Sequence, residues 1–234
     1  MAIEFVLLLL AAYLLGSFPA AYFAARWSRG IDIRQYGSGN VGATNLLGLT
    51  SKWIAIVVII FDLAKGMAMV WAAQLVGLGI AQQVAVGLAT IIGHNWPVFL
   101  RFNGGRGLLT ILGIALFLPL INGLIPWEIV AFFALGAVAF FTIHSVPLGA
   151  VAGMAAMPLV SWGLGEPPPM TLGFLAMFLI MVIRRLTAPK TSVTASVPPG
   201  QLVLNRLLFD RDIRDRQAWI HRQPLKQEEK RGKG

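Results

Sequence analysis

Long apolar runs alternate with short polar ones along this chain, and the apolar runs have the length of membrane-crossing helices, for which a bilayer's hydrocarbon core needs ~20 residues. The first is Ile3–Ala25, the second about Trp53–Leu75, and the third about Ile80–Phe99, bent near Gly93 and Pro97. Gly77-Leu-Gly79 makes a tight turn between the second and third. A fourth runs from Leu108 to about Leu120 and ends at Pro119 and the Asn122–Pro126 turn. No formally charged residue lies between Glu128 and Glu166, a stretch too long for one helix, and His144-Ser-Val-Pro147 divides it in two. Within the second half, the Gly149 and Gly153 spacing suits close helix contact. The last run opens at Pro167-Pro-Pro169 and closes at Ile183-Arg-Arg185. The pattern predicts an all-α integral membrane protein with about seven transmembrane helices.

Composition agrees. The chain is 57% hydrophobic and 12% charged, where a soluble domain is about 25% charged. It has no cysteine, which removes disulfides and thiolate metal sites. The first run begins beside Glu4 instead of a basic segment and lacks a convincing cleavage site, so it reads as a retained span.

The net charge of +9 is unevenly placed: residues 184–234 hold 12 Lys/Arg against 5 Asp/Glu. A basic tail just after a span is the signature of a cytoplasmic end near anionic lipid, and nucleic acid is a poor second. With seven spans, every Lys and Arg falls on the tail's side or, for Lys65, inside a span near it. The other side carries Glu4, Glu128 and Glu166. The N-terminus is therefore expected outside and the tail inside. The chain divides into a membrane domain, 1–186, and a basic tail, 187–234, with a linker over Thr187–Gln201 and a short helix around Arg206–Ile220 that could rest on the membrane surface.

Two polar loops then share the cytoplasmic face. Tyr36-Gly-Ser-Gly-Asn-Val-Gly-Ala-Thr-Asn45 has three glycines and no charge. Glycine lets backbone N–H groups turn toward an anion, and Ser, Thr and Asn add neutral donors and acceptors. Asn103-Gly-Gly-Arg-Gly107 precedes an apolar helix, where backbone N–H groups, the helix terminus and Arg106 could grip an anion. Alone, the second loop also reads as an ordinary turn carrying a topogenic charge; together the two suggest a shared anion site.

Asp62 and Lys65 lie three apart on one helix face, either as a mutually neutralising pair or with Lys65 joining the anion site. His94 precedes the second loop and could act as a base, bind phosphate, or simply be hydrogen-bonded structure. His144 has no polar company and reads as structural. No metal-ligand spacing and no Ser/His/Asp set is visible, so chemistry built from these parts would rely on positioning and charge stabilisation.

Four segments resemble the bacterial membrane-bound, acyl-phosphate-dependent glycerol-3-phosphate acyltransferase family: Gly16–Pro19, Gly37–Asn45, Asp62–Gly66 and Gly93–Gly107. The likeness covers roughly residues 3–186. It implies a multi-pass protein of the bacterial inner membrane that transfers an acyl group from acyl phosphate to the 1-hydroxyl of glycerol 3-phosphate, giving lysophosphatidic acid without metal or cofactor. It places Ser38, Asn40, Thr44 and Asn45 around the acceptor, with Ser38 and His94 as catalytic candidates. Lys65, Gly104, Gly105, Arg106 and Gly107 would bind substrate. A monomer or weak oligomer is expected.

The chain departs from the family pattern in three places. Gly48 stands where the family has Arg; Asn103 and Arg106 replace two lysines; and Arg185 replaces a His, with Asn205-Arg-Leu207 a displaced echo of what normally follows. These departures keep open a catalytically impaired homologue with a binding or regulatory role, or another polyol phosphate as acceptor. A small anion transporter ranks last because no inverted repeat is visible.

Overall fold

The structure, a computed structural model, describes residues 2–191 and 193–221, and among them every regular element is helical. The first run is not one helix. It forms α1 (Ala2–Ser17) and α2 (Ala20–Arg29), broken where Pro19 supplies no N–H. The short α3 (Ala43–Leu47) closes the Gly/Asn loop before α4 (Lys52–Leu75), whose start is capped by the Ser51 side chain.

Then come α5 (Ile80–Asn95), α6 (Leu108–Ile121), α7 (Trp127–Ile143), α8 (Val146–Gly163) and α9 (Pro168–Leu186). The expected third span stops at Asn95, short of Phe99, because Pro97 forces the chain into a separate 3-10 turn at Val98–Leu100. Four stretches are long and apolar enough to cross a membrane: Ala2–Arg29 taken through its break, Lys52–Leu75, Val146–Gly163 and Pro168–Leu186. Leu108–Ile121 and Trp127–Ile143 are shorter but apolar. Ile3, Trp53, Trp71, Phe133, Phe141 and Trp162 face outward. In water such a surface would be a strong liability; in lipid it is the favoured one.

Helices pack through glycines. A Cβ on Gly16 of α1 would lie 2.1 Å from the Thr90 carbonyl of α5, and one on Gly113 of α6 would lie 2.2 Å from the Leu63 carbonyl of α4. These contacts bring α1 against α5 and α4 against α6 at backbone distance, so the ends of α1 and α5 and the start of α6 meet the middle of α4 at Asp62 and Lys65. Gly149 and Gly153 of α8 likewise sit directly against Gly136 and Phe132 of α7. The largest apolar cluster joins Ile111, Ile114 and Leu118 of α6 to Met154 and Met157 of α8 and Phe174, Met177 and Met181 of α9. A smaller one, with Ile33, Val41, Leu46, Val58 and Leu100, fixes the Gly/Asn loop to α2 and α4.

The tail differs most from expectation. The single helix predicted around 206–220 is instead α10 (Pro199–Phe209) and α11 (Arg216–Ile220), and α10 packs on α8 and α9. Asp212 explains the fold: buried, it accepts hydrogen bonds from Arg206 Nε at 2.8 Å and from the hydroxyls of Thr191 and Thr194. Arg206 also donates to the Leu186 carbonyl at 2.6 Å, which ties α10 to the end of α9. The rest of the basic tail, 222–234, lies outside the described residues.

Candidate active site

The first loop is built around Asn45. Its Oδ1 accepts from the Ser38 N–H at 2.9 Å, and its Nδ2 donates to the carbonyls of Tyr36 and Asn40, both at 3.1 Å, and of Ile33 at 3.3 Å. Gly37 and Gly39 adopt φ of +55° and +73°, which lets the chain wrap this one amide. Asn45, expected beside the acceptor, thus has both ends of its amide committed to backbone and acts as the hub of the cradle. What remains on the rim is the Ser38 side chain, whose Oγ accepts from Asn40 N at 3.4 Å, the buried Asn40 Oδ1, and exposed Thr44. Arg34 is engaged in a bidentate pair with Asp32 that raises its pKa above the ordinary arginine value, so it is not a free cation for the loop.

Beneath the loops, Lys65 Nζ lies 2.7 Å from Asp62 Oδ1, 2.8 Å from His94 Nδ1 and 3.3 Å from the Gly16 carbonyl. An ammonium has three protons and no lone pair, so this set saturates it. Lys65 therefore does not offer the free phosphate-binding cation expected from the sequence. Because it donates to Nδ1, the remaining ring proton of a neutral His94 is assigned to Nε2. Nε2 faces the second loop: a Cβ on Gly105 would lie 2.1 Å from it. His94 thus presents a hydrogen-bond donor to the loops, and the lone pair a base would need is already engaged by Lys65. Asp62 is held in turn through its carbonyl, which accepts from Thr110 at 3.0 Å.

The second loop is pinned from both sides. The Gly104 and Gly105 N–H groups donate to the carbonyls of Asn95 and His94 at 3.3 and 3.1 Å. Their own carbonyls accept from Arg184 Nη2 at 2.7 Å and Nε at 2.8 Å. The expectation that these N–H groups wrap an anion is thereby corrected: they are already paired, and the glycines serve close approach. A Cβ on Gly105 would also lie 2.7 Å from the Val41 carbonyl, so the two glycine-rich loops meet at this residue. Gly107, at φ +71°, starts α6 and packs on Asn95. Arg106 is the cation left at the seam; it donates from Nη1 to the Arg184 carbonyl at 3.2 Å, and its Nε lies 2.8 Å from Asp210 Oδ1.

The glycerol-3-phosphate acyltransferase family profile matches residues 6–191, which takes in both loops and every residue of this seam but Asp210. The chain belongs to that family. A glycerol-3-phosphate acyltransferase of Dehalococcoides mccartyi is 45% identical over 236 residues, covering 98% of each chain. One from Prochlorococcus marinus is 38% identical over 179 residues, covering 76% of this chain and 87% of its own. Among solved structures, PlsY (YgiH), an integral membrane glycerol 3-phosphate acyltransferase, matches at 28% identity in its glycerol 3-phosphate form. The TM-score is 0.67, over 78% of this chain and 88% of that one. The lysophosphatidic acid form gives 0.68. With its apolar helices, this chain is a multi-pass membrane protein.

Several members of the site were not legible as such in the sequence. Asn95 is fully buried with both amide atoms unpartnered among the described residues, yet it stands beside His94 in a stretch read only as a helix end. Arg185, in place of the family's His, donates to the Leu207 and Pro147 carbonyls at 2.5 and 3.3 Å and so holds the tail in place of facing the loops. Asp210 lies far along the chain from Arg106 and has no motif around it; no pattern in the sequence signals their meeting.

Proposed function

We propose that the chain is an acyl-phosphate:glycerol-3-phosphate acyltransferase, producing lysophosphatidic acid at the cytoplasmic face of a bacterial inner membrane. The observation that carries the reading is the seam itself: the Gly/Asn cradle and the Gly/Arg loop touch at Gly105, with the His94 Nε2 edge and the Arg106 guanidinium on either side. In this reading seven helices cross the bilayer with the N-terminus outside, which puts both loops and the tail on one side. Ser38, Asn40 and Thr44 receive the glycerol part. Arg106 takes a phosphate, for which a planar fork of N–H donors is suited. The acceptor 1-hydroxyl oxygen attacks the acyl carbonyl carbon, the bond from that carbon to the phosphate oxygen breaks, and phosphate leaves with the electron pair. The hydroxyl proton passes to the acceptor's own phosphate, since the His94 lone pair is held by Lys65. His94 Nε2–H and the loop dipoles stabilise negative charge on the carbonyl oxygen as it develops. One chain supplies every one of these groups, which fits a monomer or weak oligomer.

The test is direct. Purified protein in lipid is given acyl phosphate and labelled glycerol 3-phosphate; labelled lysophosphatidic acid is expected, and Arg106→Ala is expected to raise KM about 10- to 100-fold, the range for losing a charged phosphate contact. Binding of glycerol 3-phosphate without turnover would instead make the chain a binding homologue. Turnover only with another polyol phosphate would change the acceptor.

A further inference from the structure

Resting on the reading of Arg106 as a phosphate holder, we propose that Asp210 is a built-in competitor for that phosphate. The tail would thereby set the affinity of the site.

Each partner is positioned without the other. Arg106 is fixed by its bond to the Arg184 carbonyl. Asp210 is fixed by its place at the end of α10, where it takes φ +55° and donates its N–H to the Arg206 carbonyl at 3.2 Å. The end of α10 is anchored independently, through Arg185 on the Leu207 carbonyl and Arg206 on the Leu186 carbonyl and Asp212. The pair that results is close but incomplete. Arg106 Nε and Asp210 Oδ1 are 2.8 Å apart, yet neither atom has a well-formed hydrogen bond. The two facing atoms are buried, while their side chains as wholes are 17% and 24% exposed, so an arriving anion reaches the pair through the exposed part of each side chain.

A charged contact that is misaligned is one a better-placed anion can displace. A phosphate dianion carries twice the charge of the carboxylate it displaces, so it can win Arg106, at an affinity reduced by the cost of the displacement. The segment that carries Asp210 lies beyond the family match at 6–191, while the Dehalococcoides relative spans it. The competitor is thus an addition to the shared core.

The experiment compares wild type, Asp210→Asn, Arg106→Ala and the double variant in lipid, measuring kcat, KM for glycerol 3-phosphate, and inhibition by inorganic phosphate and by acetate. Asn is chosen because it tolerates the left-handed conformation at this position. Asp210→Asn is expected to lower KM about three- to tenfold, the scale of one partly exposed charged contact, with kcat little changed. Phosphate and acetate are expected to gain as inhibitors by a similar factor, because each has the same carboxylate to displace. On the Arg106→Ala background the Asp210→Asn effect should vanish. A raised KM in Asp210→Asn would show that the carboxylate supports Arg106, and unchanged constants would show an incidental contact; either overturns the proposal. If Arg106→Ala itself leaves KM unchanged, the phosphate-holding reading fails, and that failure is visible separately from the behaviour of Asp210.

Discussion

Replacing Asn45 by Asp tests whether one amide holds the first loop. The two side chains have the same shape, so no cavity forms and the Ser38 N–H keeps its acceptor. The Nδ2 donor is lost: the Ile33 and Tyr36 carbonyls keep the N–H groups of Tyr36 and Gly39, and the Asn40 carbonyl loses its partner. Each such acceptor left unsatisfied in a buried place costs about 1–3 kcal/mol. One carbonyl left unsatisfied sets the expected cost at about 1–3 kcal/mol, before the repulsion of a carboxylate facing three carbonyl oxygens. That is small enough against a typical domain's ~5–15 kcal/mol to leave the fold standing, and it falls on a loop whose flanks are held by Ile33, Leu46 and Val58. Local opening is therefore expected over global unfolding. Hydrogen exchange in detergent should show faster exchange of the amides of residues 36–42, while α4 to α9 keep their protection, and kcat/KM should fall at least 100-fold. Lost activity with unchanged loop exchange would refute the hub role and return Asn45 to direct contact with the acceptor.

Three further outcomes follow from the same geometry. Gly105→Ala drives a methyl into His94 and the Val41 carbonyl; overpacking of about 1–3 kcal/mol should separate the loops, lowering kcat/KM far more than the melting temperature. Arg184→Lys keeps the charge but loses the fork that holds the Gly104 and Gly105 carbonyls, so a fall of about tenfold or more in kcat/KM is expected, with exchange increasing at residues 103–107. Asp212→Ala removes the buried anchor shared by Thr191, Thr194 and Arg206; a cost of about 3–5 kcal/mol concentrated in the tail should appear as rapid proteolysis within residues 193–221, with the helical body intact.

The helices were legible because lipid imposes a simple demand: an apolar run long enough to cross must satisfy its backbone internally, and only a helix does so. The breaks were less legible. Pro19 divides the first run although α1 before it is strongly apolar and α2 after it opens on Ala20-Ala-Tyr-Phe23, and Pro97 ends α5 earlier than the hydropathy suggests. Within the site, the residue types were readable and their states were not. Glycine repeats suggest free N–H groups, but Gly104 and Gly105 use theirs against the end of α5 and exist for close packing. Lys65 looks like a spare cation until Asp62, His94 and Gly16 are seen around it. Such assignments depend on contacts between α1, α4 and α5, which a local pattern does not encode. The docking of the tail is harder still, because it rests on single buried groups such as Asp212 in a segment whose composition reads as a linker and a short helix resting on the membrane surface.

The spacing of Asp62 and Lys65 also bears on how the protein enters the bilayer. A lone charged side chain in the middle of an inserting helix costs about 2.5–3.5 kcal/mol. Here the two opposite charges sit one turn apart on α4, 2.7 Å from each other. That helix can therefore leave the translocation machinery already neutralised, before His94 on the next helix has been synthesised. The same bond that later orients a histidine would first serve as the helix's own counter-ion during biogenesis. Separating the charges onto two helices would impose a delay that the present arrangement avoids.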